Sequence, residues 1–306
     1  MNQFLLAKGA KIIVETCAHV QEHEKAVVIT EPNMQNIAEA LMAALFNVGA
    51  EPVMIVMQPR QSDGEEPPAT VAAAMKASDV FFNAVYKSIT HTKATREAAE
   101  NGARGIMLTQ FNEEMLQHGG VFADFKEIAP QCQRVAEALA DSKTVNVSTP
   151  LGTNITFSAV GRRGNALTCI TSAGKFTTVP TIEANVSPLE GTAEGVIVAD
   201  ASIPYIDIGI LTEPVICKVH KGFITDISGG KQATILKENW ESKNDPNVYN
   251  IAELGIGLNP CCKFTGAMLE DEGVYGSAHW YKHNFRRRYQ SRYSLRFNYD
   301  QAYDSC

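Results

Sequence analysis

The stretch KAVVITEPNMQNIAEALMAALFNVGAEPVMIVM, residues 25–57, decides the fold of the first half of the chain. It opens with a continuous apolar run at 25–31, which is typical of a strand buried on both faces. Pro32 then begins a segment with apolar residues at helical spacing, and Gly49 lies near its end, as at many helix ends. A second apolar run follows at 52–57. This order predicts two parallel strands joined by a right-handed helical crossover.

The same alternation of strand and helix continues further along the chain. Apolar runs at 79–85 and 104–110 predict two more strands, with helical patterns between them. No GxGxxG or GxxxxGK[ST] motif follows any of these strands, so the sequence gives no support to a nucleotide site.

Beyond these runs the sequence becomes rich in short strands. The segment 143–160 resembles two strands around a Pro-Leu-Gly turn, and the segment 215–228 resembles a hairpin. We therefore predict an α/β protein with an N-terminal open parallel (Rossmann-like) domain at residues 1–145. A β-rich α+β domain, which we expect to hold a metal site, follows at residues 146–306.

Composition excludes several classes of protein. The 306 residues are 45% hydrophobic and 20% charged, as in a soluble globular protein, and no apolar run approaches the ~20 residues of a membrane span. A formal net charge of -7 argues against general binding to nucleic acid or anionic membranes. The seven cysteines include no CxxC pair, which argues against a zinc-thiolate site and favours free thiols in the cytoplasm.

Acidic residues and one histidine cluster after residue 180 in segments that are otherwise suited to packing. They are Glu183, Glu190, Glu194, Glu253, Glu270, Asp271, Glu272 and His279. Carboxylates seldom lie in apolar segments unless they are paired or bind a metal. Two or three carboxylates with one imidazole predict a site for a divalent metal ion.

Each of these residues also has a simpler structural interpretation. Glu183 can be a surface carboxylate, and Glu253 can be a salt-bridged residue or one in the first turn of a helix. The run 270–272 is most simply a solvated turn or helix end, with at most one functional residue. His279 can be a structural histidine. The residue pattern alone leaves these alternatives open.

Four blocks together resemble a known family: PTIEANVSPLEGTAEG, KGFITDISGG, NDPNVYNIAELGIGLNP and FTGAMLEDEGVYGSAH. They resemble the metallo-aminopeptidases of the aminopeptidase T and S type and, more distantly, the 2,5-dihydroxypyridine 5,6-dioxygenases. The resemblance is clearest over residues 150–279. It implies that Glu183, Glu253 and His279 are metal ligands, with Glu272 as a catalytic base or as a residue that orients a ligand.

The resemblance implies a metal-dependent hydrolase of peptide or amide bonds that uses Zn, Co or Mn. The alternative is an Fe(II)-dependent dioxygenase that cleaves a dihydroxypyridine-type ring. The dioxygenase relative has a histidine where this chain has Glu253, and a carboxylate-rich site favours hydrolysis, so we expect a hydrolase. The resemblance also implies a small peptide or small-molecule substrate and a homo-oligomer.

The C-terminal tail departs from the family pattern. The family closes its site with a His-x-Asp pair on a final strand, and this chain has no such pair. The composition turns basic and aromatic at Trp280, with three arginines at 286–288. Because both changes begin directly after His279, they predict a shifted reading frame and an aberrant tail at 280–306.

The genetic code permits this interpretation. In the shifted frame the codons that begin at position 294 can encode histidine, and those that begin at position 296 can encode aspartate. The alternative is a genuine basic and aromatic tail that binds nucleic acid or membrane. If the tail is genuine, we expect poor metal occupancy and an inactive chain, since the site then lacks ligands.

Overall fold

The computed structural model describes residues 3–204, 206, 208–281 and 292–296. Over these residues the chain folds into two compact units. The first comprises the residues up to Lys126 together with Leu167–Thr181, and the second comprises Glu127–Ala166 and the described residues from Ile182 onward. The expected domain boundary between residues 145 and 146 stays a prediction. Most of the tail after Tyr281, on which the reading-frame hypothesis depends, lies outside the described residues.

The described residues form both helices and strands. The α-helices are α1 Gln3–Lys11, α2 Gln35–Asn47, α3 Ala69–Ala77, α4 Lys93–Glu100, α5 Glu113–Gln117, α6 Phe125–Leu139, α7 Lys231–Glu241 and α8 Met268–Asp271. The strands are β1 Lys25–Thr30, β2 Glu51–Val56, β3 Val80–Ala84, β4 Arg104–Met107, β5 Val145–Ser148, β6 Asn154–Phe157, β7 Asn165–Leu167, β8 Phe176–Thr178, β9 Glu183–Val186, β10 Glu194–Ala199, β11 Ser202–Ile203, β12 Gly209–Ile210, β13 Val215–His220, β14 Phe223–Ser228, β15 Glu253–Gly257, β16 Ser277–Tyr281 and β17 Arg292–Arg296. None of the helices in this part of the chain has the length and apolarity needed to cross a bilayer.

The first unit contains a five-stranded parallel sheet in the order β2-β1-β3-β4-β8. The predicted parallel α/β architecture is confirmed, and the first four strands coincide with the four apolar runs. The fifth strand, β8, was not predicted, because a three-residue strand has too few positions to show a periodic pattern.

Apolar residues from strands and helices fill the core of this sheet. Val27 and Ile29 of β1 pack with Phe81 of β3, Met107 of β4 and Met75 of α3, and all five are almost fully buried. Burial of one such side chain contributes roughly 1.5–3 kcal/mol. The continuous apolar character of β1 therefore reflects a central strand that is covered on both faces.

Arg104 ties the start of β4 to the segment that precedes β1. Its guanidinium donates hydrogen bonds to both carboxylate oxygens of Glu24 and to the carbonyl oxygens of Ala18 and His19. Burial alone would raise the pKa of Glu24, but the hydrogen bonds from Arg104 and from the Gln21 amide hold that pKa below its ordinary value. The pair therefore stabilises the fold only while Glu24 is ionised.

We expect Arg104→Ala to lower the free energy of unfolding by about 2–3 kcal/mol, because it removes charge-assisted hydrogen bonds at a largely buried position. The pKa of Glu24 is depressed in the folded state, so this stabilisation is present at neutral pH and is lost as the pH falls. Urea unfolding at pH 7 and pH 4 measures both effects. Lys93→Ala, which removes an exposed pair with Glu97, is the control and should cost under about 0.5 kcal/mol. Equal losses in the two variants would contradict the prediction.

The second unit is built from two further sheets. One is antiparallel in the order β14-β13-β10-β6-β5, and the other has the order β12-β11-β17-β16-β15-β9-β7. The predicted β-rich character of this part of the chain is confirmed. The expected strand pair around the Pro-Leu-Gly turn is formed by β5 and β6.

The predicted hairpin at 215–228 is formed by β13 and β14. Lys221 and Gly222 at its turn both have positive φ, of 48° and 80°. Two consecutive positive φ values are typical of the type I′ turn, whose twist matches that of the flanking strands. The glycine is required here because an L side chain seldom adopts this conformation.

Candidate metal centre

Three neighbouring strands provide one face of a candidate metal centre. β15 pairs antiparallel with β9 on one side and with β16 on the other. Gly255 of β15 lies opposite both Asn185 and His279, and Gly257 lies opposite Glu183. Directly paired residues point to the same face of a sheet. Glu183, Asn185 and His279 therefore share one face, with two glycines on the strand between them.

The two glycines leave room that the site needs. A Cβ atom at Gly255 would lie 2.1 Å from Nε2 of His279, so the imidazole occupies the space where a side chain at position 255 would be. A Cβ atom at Gly257 would lie 2.2 Å from the carbonyl oxygen of Val274. The Gly-Ile-Gly sequence of β15 thus permits the histidine of one strand to approach the glutamate of another across the sheet.

His279 and Glu183 form a buried ion pair. Nε2 of His279 lies 2.9 Å from Oε2 of Glu183, and the two residues are 1% and 5% exposed. Burial alone would lower the pKa of His279, but the negative charge of Glu183, with smaller contributions from Glu272 and Glu253, raises that pKa above its ordinary value. The histidine is therefore held in a strongly anionic environment.

Glu272 joins this pair from outside the three strands. It is the residue directly after α8, and it is 3% exposed. The donor atoms of Glu183, Glu272 and His279 all lie within 4.8 Å of one another. We expected Glu272 to act in catalysis or orientation, whereas the geometry places its carboxylate among the potential ligands.

The acidic run 270–272 forms the end of α8, so its interpretation as a helix end is confirmed, but all three residues are buried, so the expected solvation was wrong. Asp271 is fully buried and accepts hydrogen bonds from the backbone amides of Thr265 and Gly266. Burial raises the pKa of Asp271, and these hydrogen bonds oppose the rise. Asp271 holds the loop before α8, which leaves Glu272 at the end of that helix to face His279.

The other acidic residues singled out by sequence lie elsewhere. Glu253 begins β15 and is half-buried, and it is not part of the three-residue cluster among the described residues. Its assignment as a ligand stays a prediction. Glu190 is exposed and pairs with Arg162, whereas Glu194 accepts hydrogen bonds from His220 and from the Lys221 amide. These last two are ordinary surface pairs.

The chemistry of the cluster fits a divalent cation. Two carboxylates and an imidazole are ligands that Fe, Mn and Zn ions accept. Nδ1 of His279 is buried and has no hydrogen-bond partner among the described residues. The ring nitrogen that faces Glu183 is Nε2, and a bound ion on that side would remove the like-charge repulsion between the buried carboxylates of Glu183 and Glu272. The roles of Glu183 and His279 as ligands nevertheless stay predictions, as does the expected role of Glu272 in catalysis or orientation.

Two asparagines that are linked to Glu183 by hydrogen bonds were not predicted from the sequence. Asn185 Nδ2 donates to Glu183 Oε1 at 2.8 Å, and Asn165 Nδ2 donates to Asn185 Oδ1 at 2.9 Å. The spacing of Glu183 and Asn185 along one strand gave a usable signal, because residues two apart in a strand face the same side. Asn165 gave none, since its contact depends on the pairing of distant strands.

Comparison with known sequences gives a match to a family model and a match to a curated protein, both described as 2,5-dihydroxypyridine 5,6-dioxygenase. A family model described as NicX, 2,5-dihydroxypyridine 5,6-dioxygenase, matches residues 10–281. The curated 2,5-dihydroxypyridine 5,6-dioxygenase of Pseudomonas putida strain KT2440 is 35% identical over 103 residues. That alignment covers 32% of this chain and 29% of the relative, so the matched segment spans under a third of the relative's length.

Two solved structures share the fold. The 2,5-dihydroxypyridine dioxygenase from Pseudomonas putida KT2440 superposes with a TM-score of 0.80 at 17% identity, covering 97% of this chain and 93% of that one. Wild-type AmpT from Thermus thermophilus superposes with a TM-score of 0.65 at 13% identity, covering 92% and 86%. At these identities the likeness shows the fold alone. The expected resemblance to both groups is confirmed at that level.

These findings overturn the sequence-based expectation of an aminopeptidase-type hydrolase. The family model and the curated relative both describe a dioxygenase, so the assignments as hydrolase, aminopeptidase and metalloprotease were wrong. The error arose from Glu253, which was taken to make the metal site too carboxylate-rich for oxygen chemistry. Without Glu253, the cluster of Glu183, Glu272 and His279 among the described residues still has two carboxylates, so a count of carboxylates does not separate hydrolysis from oxygen chemistry.

Proposed function

The chain belongs to the family of 2,5-dihydroxypyridine 5,6-dioxygenases, and from that membership we propose that it uses Fe(II) and O2 to open the ring of a dihydroxypyridine-type substrate. The observation that carries this proposal is the buried cluster of Glu183, Glu272 and His279 in the matched region. Non-haem Fe(II) oxygenases use carboxylate and imidazole ligands and leave positions open for substrate and oxygen.

The protein's own residues have separable tasks in this proposal. Glu183, Glu272 and His279 would hold the iron, and bound Fe(II) would supply a centre at which O2 and an electron-rich ring can react. Burial of all three ligands excludes water, which strengthens their electrostatic interactions. Asp271 positions Glu272 indirectly, because its hydrogen bonds to Thr265 and Gly266 fix the loop before α8.

The candidate ligands among the described residues include one imidazole, whereas the common Fe(II) triad has two imidazoles and one carboxylate. We propose that the intact gene supplies the second histidine from β17 in the shifted reading frame. Position 294 of β17 pairs directly with His279 of β16, and position 296 pairs with Ser277. These two positions, where the shifted codons can encode histidine and aspartate, therefore fall on the strand face that carries His279.

Nucleotide sequencing across codons 276–282 of independent isolates tests the shift, and an uninterrupted frame would contradict it.

We expect the variant Ser294→His with Arg296→Asp to consume O2 in step with substrate loss after anaerobic loading with Fe(II). The chain without these changes should be much less active, because it lacks two ligands. An oxygen electrode and the absorbance of 2,5-dihydroxypyridine measure both quantities. His279→Ala in the same background is the control and should abolish turnover. Substrate loss without O2 uptake, or full activity in the His279→Ala control, would contradict the proposal.

Three further expectations accompany this function. The substrate is a small molecule, and neither nucleic acid nor membrane is a partner. The protein is cytoplasmic, in keeping with the free thiols among the described residues: Cys17, Cys132, Cys169, Cys217 and Cys262. The expectation of free thiols is wrong for Cys261, which is disulfide-bonded. It forms a homo-oligomer, as the family resemblance implies. Size-exclusion chromatography with light scattering tests the last of these.

A further inference from the structure

We propose that Arg163, Asn165 and Asn185 form a hydrogen-bond chain that positions the Glu183 carboxylate for metal binding. This inference rests on the proposed function in one respect, because it treats Glu183 as a metal ligand. The three residues are positioning residues, since none of them is part of the ligand cluster. The hydrogen-bond chain is present in the metal-free protein and can be tested there.

The chain consists of three consecutive hydrogen bonds. Arg163 Nε donates to Asn165 Oδ1 at 3.0 Å, and Asn165 Nδ2 donates to Asn185 Oδ1 at 2.9 Å. Asn185 Nδ2 then donates to Glu183 Oε1 at 2.8 Å. Burial increases along this path: Arg163 is exposed, Asn165 is half-buried, and Asn185 and Glu183 are 6% and 5% exposed.

The two ends of the chain fix its direction. An arginine side chain can only donate hydrogen bonds, so the oxygen of Asn165 must face Arg163. The amide nitrogen of Asn165 must then face Asn185, whose own nitrogen is left to face Glu183. An ionised carboxylate can only accept, which agrees with that arrangement. Neither asparagine can be rotated by 180° without breaking two hydrogen bonds.

This arrangement divides the two oxygens of Glu183 between two tasks. Oε1 is held by Asn185, whereas Oε2 lies 2.9 Å from Nε2 of His279, on the side of the ligand cluster. Hydrogen bonds in a chain polarise one another. The hydrogen-bond chain thus holds the carboxylate of Glu183 in one orientation, which reduces the entropy lost when a metal binds.

The first test uses metal-free protein with 15N-labelled asparagine. We expect the side-chain amide protons of Asn165 and Asn185 to exchange slowly with solvent, and those of Asn165 to exchange faster in Arg163→Ala. Arg162→Ala is the matched control, because it removes the same charge from the adjacent residue, which pairs with Glu190 instead. It should leave both asparagines unchanged. If the Asn165 amide protons exchange at the same rate in the Arg163→Ala variant and in the unmodified protein, the proposed hydrogen-bond chain is wrong.

The second test measures Co2+ affinity from visible absorbance titrations in the Ser294→His with Arg296→Asp background, because the chain without these changes should bind metal poorly. Asn185→Ala should weaken binding about 10–100-fold, as is typical when a residue that orients a metal ligand is removed. Arg163→Ala, at an exposed position that should not affect folding, should weaken binding by about 2–5-fold, and Arg162→Ala should not weaken it. Unchanged affinity in a folded Asn185→Ala protein would overturn the positioning role. Failure of the Ser294→His with Arg296→Asp protein to bind any Co2+ would count against Glu183 as a ligand, while the exchange experiment would still decide whether the hydrogen-bond chain exists.

Discussion

Gly255→Ala should abolish metal binding and lower the free energy of unfolding by about 1–3 kcal/mol. The added Cβ would lie 2.1 Å from Nε2 of His279, closer than any two such atoms can approach. Gly255 lacks the positive φ that would strain an alanine, so the conflict is with the imidazole and not with the backbone. His279 would have to turn away from Glu183, which would separate two of the three ligands. Urea unfolding and Co2+ titration measure the two effects.

A second substitution distinguishes this clash from general damage to β15. Gly255→Ala should cost much less stability in a His279→Ala background, because the side chain that it meets is then absent. Gly257→Ala is the matched control. Its Cβ would lie 2.2 Å from the carbonyl oxygen of Val274, so removal of the imidazole should not rescue it. If Gly255→Ala is equally destabilising with and without His279, the imidazole does not occupy the space above the glycine.

Glu183→Gln should weaken metal binding on the order of 100-fold or more, because it removes an anionic ligand and leaves the rest of the side chain in place. Glutamine has nearly the shape of glutamate, and its oxygen can still accept the hydrogen bond from Asn185. The loss would therefore report charge and not packing. Glu190→Gln, at an exposed carboxylate that pairs with Arg162, is the control and should leave Co2+ affinity unchanged.

The same variant should change how the stability of the metal-free protein depends on pH. In the folded protein the pKa of His279 is raised, since Glu183 outweighs the opposing effect of burial. The stabilisation from protonated His279 is therefore complete below its unfolded pKa of about 6.5 and is lost as the pH rises through the folded pKa. Glu183→Gln should flatten this decline in urea unfolding between pH 6 and pH 9. An unchanged slope would show that Glu183 does not hold the proton on His279.

The parts of the fold that depend on local sequence were predictable. The apolar run of β1 indicated a buried strand, and His220-Lys221-Gly222 indicated the turn of a hairpin. β8 was missed because its three residues carry no periodic signal, and they form a strand only by pairing with β4. The local sequence pattern therefore predicted four strands of the parallel sheet but not the fifth, β8.

The sequence indicated several individual residues of the candidate site, but it did not indicate how those residues are arranged in space. Glu183, Glu272 and His279 stood out as polar residues in apolar surroundings. Burial of Asp271 was not foreseen, since it depends on the amides of a loop that the sequence does not place. Glu253 lies outside the cluster of the other three among the described residues, and its role as a ligand stays a prediction.

The ligands lie far apart along the chain, and this separation has a kinetic consequence. Glu183 is synthesised long before Glu272 and His279, and it reaches them only when β9 has paired with β15 and β15 with β16. Contacts between residues distant in sequence form late, because the loop between them must first be closed. The nascent chain therefore has no complete cluster with which to capture an ion. We expect metal present during refolding to slow unfolding without accelerating folding, so that metal binding follows folding.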